Sequence, residues 1–210
     1  KSQNAMVKAL LDAQAAGALK GVLGRLGDLG AIDKKYDIAV STACGSLNYI
    51  LVETTADAQQ CVSYLRKNNL GRGDFVALDK QKHYVQKIQA NVKNPENVPR
   101  LIDLIKPAEE RFAVAFYHGV RDTLVADDLD QASRLAYGET RRRVVTLQGQ
   151  LFETSGTLSG GGSRPRSGAM RVGNEAPVVQ NAAEVAKEIQ LAEKELEKAG
   201  TLYERCRKQA

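Results

Sequence analysis

The chain has 210 residues, of which 43% are hydrophobic and 26% charged, with a formal net charge of +5. That length carries one or two modest domains with real cores. No stretch approaches the roughly 18 consecutive apolar residues of a membrane-spanning helix, so no membrane partner is expected. The mild positive charge permits a nucleic-acid partner without demanding one.

The first stretch, "KSQNAMVKALLDAQAAGAL", reads as a helix already under way at Lys1, with Met6, Leu10 and Ala13 along one face. Next, "GVLGRLGDLGAID" sets Gly21, Gly24, Gly27 and Gly30 three residues apart, with Leu23, Leu26 and Leu29 between them. It lacks the GxxxxGK[ST] string of a phosphate-binding loop. It also follows a helix, where a dinucleotide fingerprint follows a strand. A flexible linker uses serine rather than leucine between its glycines. Two readings remain: a tight turn packed on its own core, or a place where another backbone lies close without a Cβ in the way.

A weak internal repeat follows. "YDIAVSTACGSLNYILVETTADAQQCVSYLRKNNLGRGDFVAL" and "RFAVAFYHGVRDTLVADDLDQASRLAYGETRRRVVTL" each read as helix, strand, helix, strand. The strands "NYILVE", "GDFVAL", "DTLVAD" and "RRVVTL" are short and β-branched, and strand–helix–strand predicts parallel pairing by a right-handed crossover. The fold class is therefore α/β, with two pseudo-repeated subdomains. They are joined by the polar stretch "DKQKHYVQKIQANVKNPENVPR". After them, "TLQGQLFE" reads as two strands around a turn at Gln148-Gly149, "SGTLSGGG" is a second glycine cluster, and "SRPRSGAMRVGNEAP" reads as a mobile loop.

The last stretch is helical with a heptad: Ala182, Ile189, Leu196 and Tyr203 at a, and Val185, Ala192, Ala199 and Cys206 at d. With a helix running off each end, the chain is expected to be a piece of a longer one. In one reading the two helices pair antiparallel as a coiled coil. In the other they are ordinary amphipathic helices on the core.

Catalytic candidates are thin. His83 and His118 have no triad-like companions, and the carboxylates of "VETTAD" and "VADDLD" follow strand ends, where helix capping is the duller role. Cys44, Cys61 and Cys206 form no CxxC pair, which argues against zinc and disulfides and fits a reducing compartment. Cys44 and Cys61 are expected on helices as buried apolar groups. Candidate phosphate contacts are Arg141, Arg142 and Arg143; Arg164, Arg166 and Arg171; Arg205, Arg207 and Lys208; and "DKQKHYVQK". Aromatic residues are few and Trp is absent, so binding would be electrostatic rather than by stacking. On residues alone, a small nucleotide- or metabolite-binding α/β enzyme domain stays open beside a protein-pairing module.

"GVLGRLGDLGAIDKKYDIAVSTACG" with "GQLFETSGTLSGGG", flanked by coiled-coil-like helices, resembles the hinge domain of the SMC (structural maintenance of chromosomes) proteins. "GRLGDLGAID", "KNPENVPRLIDLIKP" and "RDTLVADDLDQASRLAYG" are most similar to the type-four branch found in eukaryotic condensin. The resemblance covers nearly the whole chain. It implies an N-terminal coiled-coil helix over 1–20, subdomain I over 21–79, a connecting segment over 80–100, subdomain II over 101–162, a basic mobile loop over 163–177 and a C-terminal coiled-coil helix over 178–210. It further implies heterodimer formation with the hinge of the type-two condensin SMC subunit, with Gly24, Gly27, Gly156, Gly160, Gly161 and Gly162 at or near the contacts. Weak self-pairing of the isolated chain stays open. Weak, sequence-independent DNA binding, notably to single strands, is implied near the coiled-coil junction. So are work in chromosome condensation, a nuclear and chromosomal location, and a cytoplasmic one for part of the cell cycle. No cofactor is expected, and the family's ATPase belongs to a distant head outside these residues.

Overall fold

The computed structural model describes residues 2–90, 92–162 and 164–177. The expected C-terminal helix over 178–210, with its heptad and Arg205, Arg207 and Lys208, lies outside the described residues. At the other end α1 (Ser2–Ala15) closes at Gly17, whose φ of 77° is the left-handed turn that glycine takes at a helix C-terminus. Its Met6, Leu10 and Ala13 face is real, but it is buried on the body itself, against Leu19, Val22, Ile50, Val52, Cys61 and Leu65.

The first glycine stretch supplies β1 (Val22–Arg25) and β2 (Gly30–Ile32), followed by α2 (Asp37–Ala43), β3 (Ile50–Val52), α3 (Thr55–Lys67) and β4 (Phe75–Ala77). β3 and β4 pair in parallel with Leu51 opposite Val76, α3 is the crossover between them, and β1 lies antiparallel on the other side of β3. α3 starts with a capping box: the Thr54 side chain accepts from Asp57 N, and Asp57 accepts from Thr54 N. That settles the first strand-end carboxylate as a cap.

The joint holds α4 (Val85–Gln89) among single helical turns, and then come α5 (Leu101–Leu104), β5 (Lys106–Pro107) and α6 (Ala113–Val120). The second copy continues with β6 (Leu124–Ala126), α7 (Leu129–Ala136), β7 (Val144–Thr146), β8 (Leu151–Phe152) and β9 (Leu158–Ser159). β6 and β7 are parallel, as expected from the repeat. β8 returns antiparallel through the turn at Gly149 (φ 87°), and β9 adds at the edge, giving the order β6-β7-β8-β9. Asp128 caps α7 by accepting from Gln131 N, so this carboxylate too is structural. The apolar runs "ILV", "LVA" and "VVT" are buried at every position, as parallel strands covered on both faces require.

The two copies do not stand apart. α6 lies so close to the turn after α2 that a Cβ on Gly119 would fall 2.5 Å from Cys44 Sγ and also crowd Ser46 Oγ. Arg143 donates to the carbonyl of Ala43 at 3.0 Å across the same seam.

The stretch read as a mobile loop departs from that expectation in its second half. There, β10 (Arg171–Val172) pairs in parallel with Ala31 and Ile32 of β2, which pairs on its other side with β5. Gly168 N donates to Asp37 and Ala169 N to Ser41 Oγ, and Met170 is buried. The exit from subdomain II is thus a strap across subdomain I. Its serine and glycine content signalled a loop, and hydrogen bonds to α2 and β2 supply the order that composition does not.

Candidate partner and nucleic-acid interface

The glycines divide into two kinds. At Gly27 a Cβ would overlap the carbonyl oxygen of Ala169 and lie 3.1 Å from the carbonyl oxygen of Leu47. At Gly30 it would sit 2.5 Å from Cζ of the fully buried Phe116. These two glycines clear space inside the chain. The backbone that comes close to Gly27 is the molecule's own strap. Gly24, at φ 128°, sits where the β1–β3 register shifts, with only Leu29 Cδ2 near a would-be Cβ, at 3.8 Å. The outer edge of β1 is partly closed as well: the Gln14 amide accepts from Val22 N at 2.6 Å and donates to Val22 O at 2.8 Å.

The second cluster is different. Gly156 (φ 95°) makes the turn between β8 and β9, and Gly160 lies against Gln150, whose Cγ would be 2.9 Å from a Cβ. Gly161 (φ 90°) has nothing within 4 Å of that position, and Gly162 only the Arg164 carbonyl oxygen at 3.8 Å. Among the described residues β9 pairs on one side only, and both its residues are exposed; Leu158 is 52% exposed. Beside this edge stands Tyr137, 46% exposed, with its hydroxyl 3.3 Å from Gly156 O and its ring edge-on to Phe152. The Arg141 guanidinium lies 5.9 Å from the Tyr137 ring centre. An open sheet edge bearing an exposed leucine, a tyrosine and an arginine has the composition of a protein contact. Tyr137 was missed in the sequence, where "AYGETRRR" looks like a polar helix end.

The basic residues also separate. Arg141, Arg164, Arg166 and Arg171 are exposed, and none makes an ion pair among the described residues. Arg143 is committed inward: it holds Glu153 through Nε at 2.9 and 3.0 Å and reaches Thr123 Oγ1 and Ala43 O. Arg143 thus has a structural role that Arg141 lacks. Arg142 is half-buried.

A groove of about 630 Å³ opens beyond the C-terminal ends of β3 and β4, walled by Leu78, Val85, Ile88 and Val114. Two of its three carboxylates are engaged: Glu53 pairs with Arg111 at 2.6 Å, and Asp79 accepts from Thr55. Cys44 and Cys61 are buried, as expected. Burial pushes the Cys44 thiol up. Burial and then the Asp57 charge push Cys61 to about 11, so neither is a thiolate near neutrality. Tyr117, hydrogen-bonded to Asp122 at 2.8 Å, is pushed up to about 12, first by burial and then by that carboxylate.

Comparison with known proteins gives this geometry a family. Residues 19–136 match the family described as the SMC proteins flexible hinge domain. The chain is 50% identical over 171 residues to structural maintenance of chromosomes protein 4 of Microtus arvalis, covering 81% of this chain and 14% of that protein. It is 48% identical to the protein of that name in Homo sapiens, over 81% of this chain and 13% of that one. Among solved structures, an asymmetric dimer of the Geobacillus stearothermophilus SMC hinge domain superposes with a TM-score of 0.63 at 24% identity, over 93% of this chain and 75% of that one. The Pyrococcus furiosus SMC hinge domain gives 0.56 at 22% identity, over 79% and 91%. The chain spans only about one-seventh of its curated relatives' length. With more than half of its residues inside the family match, the chain belongs to the flexible hinge domain family of the SMC proteins.

Proposed function

We propose that the chain is the pairing module of a type-four condensin SMC subunit. It forms a heterodimer with the hinge of the type-two subunit and so joins two arms for chromosome condensation in the nucleus. In this reading residues 21–79 and 101–162 are the two subdomains, 80–100 connects them, and the ATPase of the longer protein lies elsewhere. The observation that carries the reading is the unpaired β9 edge, with exposed Leu158 between Gly156 and the 160–162 glycines. Support for the type-four identity comes from relatives of that name at about half identity.

The test is to mix the chain with the type-two hinge and weigh the product by light scattering; a one-to-one complex is expected. Gly162→Val is the informative variant, because among the described residues beyond its chain neighbours nothing stands closer than 3.8 Å to the added Cβ. It is expected to weaken pairing at least about tenfold, the effect of roughly 1.4 kcal/mol of lost contact, with an unchanged melting temperature. Unchanged pairing would remove this edge from the interface.

DNA binding is the second half of the proposal: weak, indifferent to sequence, and carried by exposed Arg141, Arg164, Arg166 and Arg171. Replacing Arg164, Arg166 and Arg171 together by alanine is expected to flatten the slope of log affinity against log salt by roughly 2 for a single strand, at about 0.7 per phosphate contact. A fluorescent oligonucleotide titrated at several salt concentrations reads the slope. Parallel slopes for wild type and variant would make this segment a merely solvated face.

A further inference from the structure

Arg121 has a backbone conformation that L residues rarely adopt, with φ 49° and ψ −141°. It terminates α6 and puts its guanidinium over the ring of Tyr84, 4.3 Å from the ring centre. The imidazole of His83 stacks on the same ring, with centroids 3.8 Å apart. One turn back on α6, half-buried His118 completes the group. Its pKa is lowered by burial first, then by the charges of Arg121 and His83, so both act on it, and α6 packs against the single turn that carries His83 and Tyr84. Tyr84 itself is buried against Tyr117.

The cluster lacks a counter-charge. Among the described residues neither Arg121 nor the two histidines has a carboxylate partner. The nearest acid in sequence, Asp122, is taken by the Tyr117 hydroxyl and by Arg100 at 3.5 Å. The elements packed on α6 bring Asp37, Lys82, Lys87, Asp103, Glu110 and Arg111. Of these, Asp103 is held by Arg100, Asp37 by the strap, and Arg111 by Glu53 and Glu109; none acts appreciably on His118. Two nitrogen-rich groups thus lie against one aromatic ring, and a third stands on the helix packed beside it. One of them is held there at the cost of backbone strain, and nothing of opposite sign balances them. Like charges gathered in this way form a receptor for an anion.

We infer that His83, His118 and Arg121, gathered around Tyr84, form a binding site for a phosphate oxyanion, separate from the arginines of the strap. Arg121 supplies the permanent charge and the forked donors that suit phosphate. His118 makes the site sensitive to pH. Its folded-state pKa is depressed, so without a ligand it contributes stability above the ordinary histidine range that is lost as pH falls through that range. A bound anion favours the protonated ring, so affinity rises in the same direction. The shared chemistry is a phosphate group, whether free or in a nucleic-acid backbone.

The experiment follows the His118 imidazole resonance by nuclear magnetic resonance while inorganic phosphate, or in a second arm a short oligodeoxythymidylate, is added to the whole chain. Phosphate is expected to move the resonance and to bind about tenfold more tightly near pH 5.5 than near pH 8, the equivalent of about one unit of induced pKa change. Arg121→Gln is expected to abolish the response. Should that variant not fold, exposed His83→Gln carries the same test, with a several-fold loss expected. A response to phosphate assigns a small anion, and a response to the oligonucleotide alone assigns a backbone phosphodiester. No response in either arm, an equal response to chloride, or variants that bind like wild type would overturn the site. Pairing with a second hinge is measured separately and does not depend on this result.

Discussion

Gly27→Ala is expected to destabilise the fold by at least about 3 kcal/mol, the upper range for forcing an atom into a filled interior. The added Cβ has no empty direction: the Ala169 carbonyl occupies its place, and the Leu47 carbonyl closes the other side at 3.1 Å. Both obstacles are backbone, so neither can rotate away. The strap is the only part able to move, and moving it breaks the pairing of Arg171 and Val172 with β2 and the bonds from Gly168 and Ala169 to α2. Denaturant unfolding measures the loss, and faster tryptic cleavage after Arg166 and Arg171 locates it. Gly45→Ala is the control: that position is exposed, has nothing within 4 Å of a Cβ, and should change stability by less than about 0.5 kcal/mol. A stable Gly27→Ala that fails only in pairing would return this glycine to the partner contact.

The strap shows where sequence reading stops. The strand–helix–strand units were legible because each is local. "ILV", "FVA", "LVA" and "VVT" are compact β-branched or apolar runs, and Thr54 and Asp128 mark the helix starts directly. The turn at Gly149 was legible for the same reason. The two residues of β10 have no period, and their partner strand lies near the other end of the body; only the folded backbone brings them together. The glycine clusters were legible as places of close approach, but spacing does not say which backbone approaches. At Gly27 and Gly30 it is the chain's own atoms, while at Gly161 and Gly162 the space stands open. Arginines raise the same difficulty. Arg143 sits in the run "RRR" that reads as one basic patch, yet it holds Glu153, because it stands directly before β7 and the antiparallel pairing of Val144 with Phe152 brings Glu153 alongside it.

Arg100 is the arginine that sequence reasoning passed over, and Arg100→Met is expected to cost about 3–5 kcal/mol, the range for removing one partner of a buried ionic group. Its side chain is only 6% exposed. Nε and Nη2 hold Asp103 at 2.9 and 2.8 Å, while Nη1 and Nη2 donate to the carbonyls of Lys87 and Ile88 at 3.2 and 3.0 Å. Those carbonyls belong to the last turn of α4, where a short helix leaves its acceptors without partners. The guanidinium therefore closes the end of α4, fastens the joint to α5, and stands where Arg100 bridges to Leu124 at the start of β6. Methionine keeps the length and the apolar stem but leaves two carbonyls without this donor and takes the cation from the Asp103 and Asp122 carboxylates. Asp103 is 47% exposed, so water partly compensates it, and Asp103→Asn should cost only about 1 kcal/mol. Most of the Arg100 effect is thus assigned to the two carbonyls and to the buried guanidinium's fixed fork. Arg100→Lys tests that assignment, because one ammonium cannot serve a carboxylate and two carbonyls in a fixed fork; it should recover less than half of the loss in urea unfolding. Full recovery by lysine would mean that charge alone holds the joint. A loss below about 1 kcal/mol for Arg100→Met would mean that the joint is not held through this residue.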